Sequence, residues 1–382
     1  MKYLRIVILL LLVAYIGLGA NGGCNCSGAL GKITGTVSSA VSENTRIPGA
    51  TITATGGGKT YTTSTDDTGK YVVFVPAGTY SVTCSKPTFI DKTQENISVS
   101  SDAEKVVNFS LPTGIGETPD DPGVRGIEII IATHPIGFDV RNINIRNSKL
   151  DIDKMLKNNP PVARNTSGDY KTFVGAISVF DTTPPMGTQG IRFYIGTSQN
   201  GPFILRSTGS DTSFLDLLSM SPNLLSNSVD GLEPNTTYYL LPSLYGTWGE
   251  TVPAEGPYVI STPPELLLTE PVNNYTIPLG ATEVTFSWSD LGEGYEYYGD
   301  VYAEDGSSVY DFSSTTNSYT LDLTSISPEP GNYLWRVVGR VVEDEIPTLP
   351  ALANRQEVPE IHYFTGSISY PRMIVVPQLP PD

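Results

Sequence analysis

The residue types that perform most enzyme chemistry are sparse in this sequence. Its two histidines, His134 and His362, lie far apart in the chain. A catalytic triad requires a nucleophile, a histidine and an orienting carboxylate that converge on one site. The Gly-x-Ser-x-Gly, His-Glu-x-x-His and Gly-x-x-x-x-Gly-Lys-Ser/Thr motifs are all absent from the sequence. We therefore interpret each histidine as a loop or strand-end residue, and predict no catalytic residues, no enzyme activity and no cofactor.

Carboxylate pairs are present, but their positions favour turns over chemistry. They are Asp66-Asp67, Asp120-Asp121 and the run Glu343-Asp344-Glu345. A glycosidase needs two carboxyl groups about 5–10 Å apart across a cleft, whereas these pairs fall in a predicted turn, a linker and a strand end. We predict no metal site, with a calcium ion at Asp66-Asp67 as the alternative, because the spacing lacks the alternating ligands of an EF-hand.

The cysteines predict neither a disulfide framework nor a zinc site. Only Cys24, Cys26 and Cys84 are present, and the Cys24–Cys26 spacing has no matching second pair. Cys84 alternates with Tyr80 and Val82 in a strand-like pattern. We therefore predict that Cys84 is a small buried side chain and that its thiol is unreactive.

Two aromatic clusters are the candidate ligand-binding sites. Tyr295 and Tyr297 flank an acidic residue and could stack on sugars or peptides. The alternative is that they are the alternating core and surface residues of a sandwich strand. Tyr245 and Trp248 lie in a Gly-containing segment at a predicted sandwich end, where loops usually carry binding residues.

The overall composition indicates an all-β protein that does not bind nucleic acid. The chain has 37 glycines, 30 prolines and 21 tyrosines, and only 16% of its residues are charged. Glycine and proline build turns, and aromatic residues suit a half-buried pleated surface. The net charge of −17 would repel a phosphate backbone, since no basic cluster offsets it.

The amino terminus has the layout of a secretory signal. Lys2 and Arg5 precede an uncharged, mostly apolar run from Ile6 to Ala20, which is short for a membrane span of about 20 residues. We predict a signal or lipid-anchor segment over residues 1–23 and a mature protein outside the cytoplasm.

The residues after this run resemble the lipobox of bacterial lipoproteins. Cys24 follows Gly22-Gly23, although Asn21 occupies the position where the usual pattern has leucine. The resemblance implies lipidation of Cys24 and a membrane anchor. Two alternatives stay open, namely simple cleavage near Ala20 and an uncleaved amino-terminal anchor.

The first predicted domain, residues 31–112, consists of short alternating strands separated by turns. Its motifs are Gly35-Thr36-Val37, Pro48 to Ala54, Thr65-Asp66 with Gly69 and Tyr71, and Pro76 to Val82. We predict a hairpin from the runs on either side of the Asp66–Gly69 turn. The motif order resembles carboxypeptidase regulatory-like domains, and the resemblance implies a prealbumin-like sandwich related to carbohydrate-binding-like folds.

Residues 113–124 form a Gly/Pro/acidic stretch that predicts a linker, and residues 125–264 form the second predicted domain. Its run from Leu232 to Tyr238 resembles the tyrosine corner of fibronectin type III modules, which implies that the Tyr238 hydroxyl bonds to nearby backbone. Residues 147–170 depart from that family. We interpret them as an insertion in which Ser148 caps a short helix.

The third predicted domain covers residues 265–369 and precedes a Pro-rich tail over 370–382. Its strand motifs include Val284 to Trp288 and Gly331 to Val337. They resemble bacterial fibronectin type III-like, immunoglobulin-like modules, and the resemblance implies that Trp288 and Trp335 are core residues on opposed sheets. The fold class predicted for the chain is all-β, with three tandem β-sandwich domains after a signal peptide.

These observations predict a non-catalytic exported protein of the cell surface, with a role in binding, adhesion or spacing. The alternative is a carbohydrate-binding accessory protein that uses exposed Tyr/Trp patches. The expected partners are a surface polysaccharide or a protein, together with the membrane if Cys24 is modified.

Overall fold

A computed structural model describes residues 29–114, 124–138, 169–180, 184–210, 224–251, 257–304, 307–343 and 360–378. Cys24, the signal segment and the predicted helix near Ser148 lie outside these residues. The described chain is all-β and consists of β-sandwich units in tandem, as the sequence predicts. Within the described ranges, no helix is long and apolar enough to cross a membrane.

The first unit contains nine strands. They are β1 (Gly31–Ser39), β2 (Ser42–Arg46), β3 (Thr51–Gly56), β4 (Lys59–Ser64), β5 (Lys70–Val75), β6 (Gly78–Ser85), β7 (Lys92–Val99), β8 (Glu104–Val106) and β9 (Phe109–Leu111). One sheet has the order β4-β3-β6-β7, and it packs against the sheet that contains β1, β2 and β5. Alternate residues of each strand fill the core between them, including Ile52, Val73 and Val82.

The predicted hairpin around Asp66–Gly69 is wrong. β4 pairs with β3 and β5 pairs with β1, so the two runs belong to different sheets and the turn crosses between them. The Asp66 carboxylate stabilises this turn by accepting hydrogen bonds from Thr68 N, Thr68 Oγ1 and Lys70 N at 2.7–3.0 Å. A turn of this kind does not specify which partner each flanking strand takes, because pairing depends on strands distant in sequence.

The second unit contains eight strands. They are β10 (Val124–Pro135), β11 (Tyr170–Phe180), β12 (Thr188–Gly196), β13 (Phe203–Gly209), β14 (Leu224–Leu232), β15 (Thr237–Gly246), β16 (Gly249–Thr251) and β17 (Tyr258–Ser261). β14-β11-β10 and β16-β15-β12-β13 are its two packed layers. The predicted tyrosine corner is confirmed, since the Tyr238 hydroxyl accepts a hydrogen bond from Glu233 N at 3.1 Å.

The third unit contains nine strands and a short helix. They are β18 (Leu268–Glu270), β19 (Tyr275–Thr276), β20 (Glu283–Trp288), β21 (Glu296–Ala303), β22 (Ser308–Ser314), β23 (Ser318–Asp322), α1 (Leu323–Ile326), β24 (Gly331–Glu343), β25 (Glu360–Ile368) and β26 (Arg372–Val376). Trp288 on β20 and Trp335 on β24 lie on opposed sheets in the core, as predicted.

Residues 370–382 do not form a separate tail along their whole length. β26 pairs antiparallel with β24 and parallel with β19, and Ile374 is buried in the core of the third unit. The prolines after Val376 concealed this strand in the sequence, because the five-residue run Arg372–Val376 lacks the alternation of a half-buried strand.

The three units share sheets at both junctions. β2 of the first unit pairs in parallel with β13 of the second, so a ten-stranded sheet spans both units. β10 pairs in parallel with β25 over eight residues, which extends a nine-stranded sheet from the second unit into the third. Backbone hydrogen bonds therefore cross each junction and fix the neighbouring units in register.

Candidate functional site

A buried ion pair lies at the junction of the first and second units. Arg192 on β12 is 0% exposed, and its Nη1 lies 2.5 Å from Glu250 Oε2 on β16. The guanidinium also donates to Thr113 Oγ1 at 2.5 Å and to Thr88 O at 2.7 Å, both at the carboxyl-terminal side of the first unit. Arg192 therefore links its own unit to the preceding one through charge-assisted hydrogen bonds.

The Glu250 carboxylate collects hydroxyl groups from both units. Oε2 accepts from Ser39 and Thr113 of the first unit at 2.7 and 3.0 Å. Oε1 accepts from Tyr194 and Ser243 of the second unit, each at 2.7 Å. A buried carboxylate with this many donors is compensated for its desolvation, which is the condition for a buried ion pair to be tolerated.

Two aromatic rings pack close to the Arg192 guanidinium. Its central carbon lies 3.7 Å from the centroid of the Phe89 ring and 4.3 Å from that of Tyr245. Phe89 belongs to the first unit and Tyr245 to the second, so the cation–π contacts repeat the cross-unit pattern of the hydrogen bonds. Apolar residues of the second unit, Phe203 and Leu241 among them, extend the first unit's core beside this network.

Sequence reasoning missed this network. Thr113 was predicted to begin a linker, yet its hydroxyl lies in the junction, and a Cβ added to Gly114 would lie 2.4 Å from Thr247 O. The one available signal was Arg192, a charged residue inside an otherwise apolar strand run. A sequence does not show which carboxylate such an arginine meets, since Glu250 reaches it only through the β12–β15–β16 pairing.

The aromatic side chains that the sequence predicts to form exposed binding faces are buried or half-buried in the structure. Tyr297, Tyr245 and Trp248 are only 2%, 3% and 6% exposed, and Tyr295 is half-buried against the third unit's core. The alternative for the tyrosines, alternating residues of a sandwich strand, is the arrangement found. The Tyr245 ring packs against the Arg192 guanidinium, and Trp248 packs in the core of the second unit.

A cleft of about 250 Å³ opens at the edge of the third unit. The residues that line it include Tyr275, Glu270 and Glu283, together with the apolar residues Ile277 and Val284. β18 pairs only with the far end of β20, so the Glu283 end of β20 lacks a partner from β18 here. An aromatic ring beside carboxylate acceptors can recognise a polyhydroxylated ligand by stacking and hydrogen bonding.

The two histidines and Cys84 lie on strands of the sandwich units. His134 is buried at the end of β10, with Nε2 2.9 Å from Asp230 Oδ1. His362 pairs through its backbone with Glu128, six residues along β10 from His134, which corresponds to roughly 20 Å. Cys84 is buried as predicted, and burial raises the pKa of its thiol to about 12.

The predicted turn role of Asp66 is supported by its contacts. Burial acts to raise the pKa of Asp66, but hydrogen bonds from Lys70 and Thr68 outweigh it and hold the pKa below its usual value. Within the described residues, no group of three or more His, Cys, Asp or Glu side chains is arranged to hold a metal ion.

A second buried polar cluster lies in the third unit. Asp300 on β21 is 8% exposed, and its Oδ2 lies 3.9 Å from Arg336 Nε on β24. Arg336 also donates to the Tyr302 hydroxyl at 3.4 Å. Burial raises the pKa of Asp300 to about 6; the positive charge of Arg336 opposes that rise, and Asp311 adds to it.

We expect Asp300 to make the third unit less stable as the pH rises from 4 to 6. The native state holds the Asp300 proton with a pKa of about 6, against 3.8 in the unfolded chain. Native protein therefore binds more protons in this window, and the free energy of unfolding falls by about 2 kcal/mol across it, out of a total of about 3 kcal/mol from well below pH 4 to above pH 7. Urea unfolding at several pH values, compared with Asp300→Asn, measures the effect.

The quantity to compare is the stability difference between the wild-type protein and the Asp300→Asn variant at each pH. This difference should decline in favour of the variant from pH 4 to about pH 7 and stay level above that. A difference independent of pH would contradict the prediction. Carboxylates distant from position 300 titrate alike in both proteins, so their contributions cancel in the comparison; Asp311, which interacts with Asp300, is the exception.

In comparisons with known proteins, the first unit matches a known family. The model of the carboxypeptidase regulatory-like domain family matches residues 32–112. This agrees with the resemblance drawn from the motifs of this segment, and it concerns about a fifth of the chain. A search of curated proteins found no match.

Several solved structures resemble the chain at low similarity. One is a candidate carbohydrate binding protein from Bacteroides uniformis, with 13% identity and a TM-score of 0.26, covering 60% of this chain and 98% of its own. Another is a DUF3823 family protein from Bacteroides ovatus, with 9% identity, a TM-score of 0.25 and coverages of 61% and 98%. The FN1–FN3 domains of chicken CNTN1 have 10% identity, a TM-score of 0.24 and coverages of 93% and 92%. TM-scores this low support no argument about function.

Proposed function

We propose that this chain is a non-catalytic exported protein of the cell surface, which serves as a stiff spacer or binding scaffold. The observation that carries the proposal is the Arg192–Glu250 junction, a buried ion pair with partners from both units. Interfaces between domains of one chain are usually polar and permit relative motion. A junction with a shared sheet, buried charges and a common apolar core opposes such motion.

The second junction supports the same proposal. The Tyr170 hydroxyl donates to Leu266 O at 2.8 Å, and the Tyr370 ring packs edge-on against Tyr170 and Phe138 at 5.5 and 6.0 Å. Together with the β10–β25 pairing, these contacts join the second and third units by buried groups. A chain stiff at both junctions holds whatever it presents at a fixed distance from its point of attachment.

Distance measurements between spin labels test the stiffness. Labels at Lys59→Cys in the first unit and Val309→Cys in the third, both exposed, are placed in a full chain with Cys24 and Cys26 replaced by serine. We expect one narrow distance distribution. A broad distribution, unchanged by Glu250→Ala, would contradict a spacer role that depends on this junction.

Export and lipidation rest on the amino-terminal sequence. We propose that Cys24 carries the lipid and that the mature chain is anchored at the outer face of a membrane. Incorporation of labelled palmitate in a bacterial host, together with protease treatment of intact cells, tests both points. Cys24→Ala should lose the label while the matched variant Cys26→Ala keeps it; equal labelling of both variants would exclude Cys24 as the lipid site.

The third-unit cleft supports a second candidate function, the binding of a surface polysaccharide. The cleft is lined by Tyr275, an aromatic residue of a kind that stacks on sugars, by Glu270 and Glu283, whose carboxylates accept hydrogen bonds from hydroxyls, and by apolar residues. This site replaces the aromatic patches predicted from the sequence, whose rings are buried or half-buried. A protein partner at the surface is the other outcome consistent with a scaffold.

A screen of glycans and cell-wall polysaccharides tests this candidate. Saturable binding should be lost in Tyr275→Ala and weakened in Glu283→Gln. Tyr298→Ala is the matched control, since it removes a half-buried tyrosine of the same unit that does not line the cleft. Binding that survives Tyr275→Ala would place the site elsewhere, and no binding to any glycan would favour a protein partner.

A further inference from the structure

An apolar patch lies on the outer face of the first unit, at the end where the chain enters it. We call it the entry patch, and it consists of Leu30, Val72, Phe74 and Val106. These side chains are 53%, 45%, 60% and 60% exposed. Large apolar side chains are common singly on protein surfaces, but a contiguous group of them marks a surface that meets another apolar phase.

The strand register places the four side chains on one face, with Thr34 and Lys32 of β1 between Val106 and the two residues of β5. Val72 on β5 and Val106 on β8 both lie beside Thr34, on opposite sides of β1. Phe74 lies on the same outward face as Val72. It is one outward-facing row, or about 7 Å, closer to Leu30 than Val72 is. The two rows nearest the amino terminus of β1 therefore carry the exposed apolar groups.

The polar groups on this face also lie in rows that run across the strands. The row farther from Leu30 is polar, with Lys70, Thr36 and Asn108 side by side. In the row that holds Phe74, Lys32 pairs with Glu104 at 2.7 Å. Lys70 lies beside the Asp66 carboxylate, so the face carries little net charge in a chain whose net charge is −17.

The predicted lipid site lies close to the entry patch along the chain. From position 24 to position 30 the chain has six residue steps, which span at most about 20 Å when fully extended. A lipid on Cys24 would therefore keep Leu30 within that distance of the bilayer. Phe74 and the two valines lie within a further two rows, so the anchor holds the patch near the lipid surface.

We propose that the entry patch contacts the bilayer itself, with its apolar side chains at the headgroup boundary. Surface-bound elements with exposed apolar side chains bind bilayers in this way. The contact would fix the orientation of the first unit on the membrane, and the shared sheets would transmit that orientation to the other units. This inference rests on the proposed lipidation of Cys24.

A second copy of the chain is the competing occupant. β5 is at the end of its sheet, and an edge strand with exposed apolar residues can pair with another strand. The low charge of the face in an acidic chain and its short distance from the predicted anchor favour the lipid surface, because the distance to an anchor is not needed for self-association.

Lipid quenching of a fluorophore tests the proposal on the full lipidated chain. Phe74→Cys, Val106→Cys and the control Val259→Cys are each labelled with bimane in a Cys26→Ser background. The control is an exposed valine of the second unit, at 47% exposure. Cys84 does not compete for the label, since it is buried and its pKa is raised to about 12. The proteins are reconstituted into vesicles of equal parts phosphatidylcholine and phosphatidylglycerol, with or without doxyl-labelled lipid.

We expect bimane at positions 74 and 106 to shift its emission to the blue and to lose more than half of its intensity with the doxyl lipid. Position 259 should show neither change. Equal emission at all three positions in protein whose Cys24 lipid is verified by mass spectrometry would overturn the membrane contact alone. Absence of the lipid would overturn the anchor and this inference with it. A blue shift in detergent, accompanied by a doubled mass, would assign the patch to a second copy.

Discussion

Replacing Glu250 with alanine is expected to lower the free energy of unfolding by about 3–5 kcal/mol, the usual cost of removing one partner of a buried ion pair. Arg192 would keep its charge in a site that is 0% exposed, with Thr88 and Thr113 as its remaining polar partners in the network. The hydroxyls of Ser39, Tyr194 and Ser243 would also lose their common acceptor. Urea unfolding followed by the fluorescence of Trp248, in the core of the second unit, measures the loss.

The double variant Arg192→Met/Glu250→Leu is the control for this prediction. It removes both charges and fills the site with apolar groups, so it should recover much of the stability that Glu250→Ala loses. The spin-label distribution between the first and third units should broaden in Glu250→Ala. Loss of less than about 1 kcal/mol, the range of an exposed salt bridge, would show that the junction is hydrated and does not lock the units.

The second large effect is expected from Phe286→Ala in the third unit, at about 3–5 kcal/mol. Phe286 is 0% exposed, and its ring lies 4.6 Å from that of Trp335 and 5.7 Å from that of Phe312. Truncation leaves a cavity between the two sheets that these large rings cannot fill by small movements. The tryptophans of this core, Trp288 and Trp335, report the unfolding by fluorescence.

Phe74→Ala is the matched control, because Phe74 also lies on a strand but is 60% exposed. Its free energy of unfolding should change by less than about 0.5 kcal/mol, as for most surface substitutions. If the two variants were equally destabilised, the assignment of Phe286 to the core would be wrong. If Phe74→Ala alone were destabilised, Phe74 would have a partner within the folded chain.

The sequence by itself determined the fold class and the local geometry of several elements. Period-two alternation predicted which residues of β3 and β6 point inward, since a strand buries every second side chain when one face is covered. Tyr238 was predicted from a short motif because its hydroxyl bonds to backbone only five residues away. Cys84 was predicted to be buried from strand alternation, and Trp288 and Trp335 were predicted as core residues from the resemblance to fibronectin type III-like modules; all three are buried.

Tertiary structure decided everything that depends on which distant strands meet. The turn at Asp66–Gly69 is compatible with a hairpin, yet β5 pairs with β1 because its alternate residues complete the core on that side. Tyr245 and Trp248 have the composition of a binding loop, but the β12–β15 pairing places Tyr245 over a buried guanidinium.

The candidate functional features also depend on which distant strands meet. Arg192 and Glu250 are separated by a strand pair and meet residues of the preceding unit, while the cleft beside Tyr275 arises where β18 stops short of the start of β20. Local sequence encodes a strand's faces, because those depend on the period of its own side chains. The neighbours of a strand and the gaps between strands are set by packing and hydrogen bonding across the whole chain, and only the folded structure displays them.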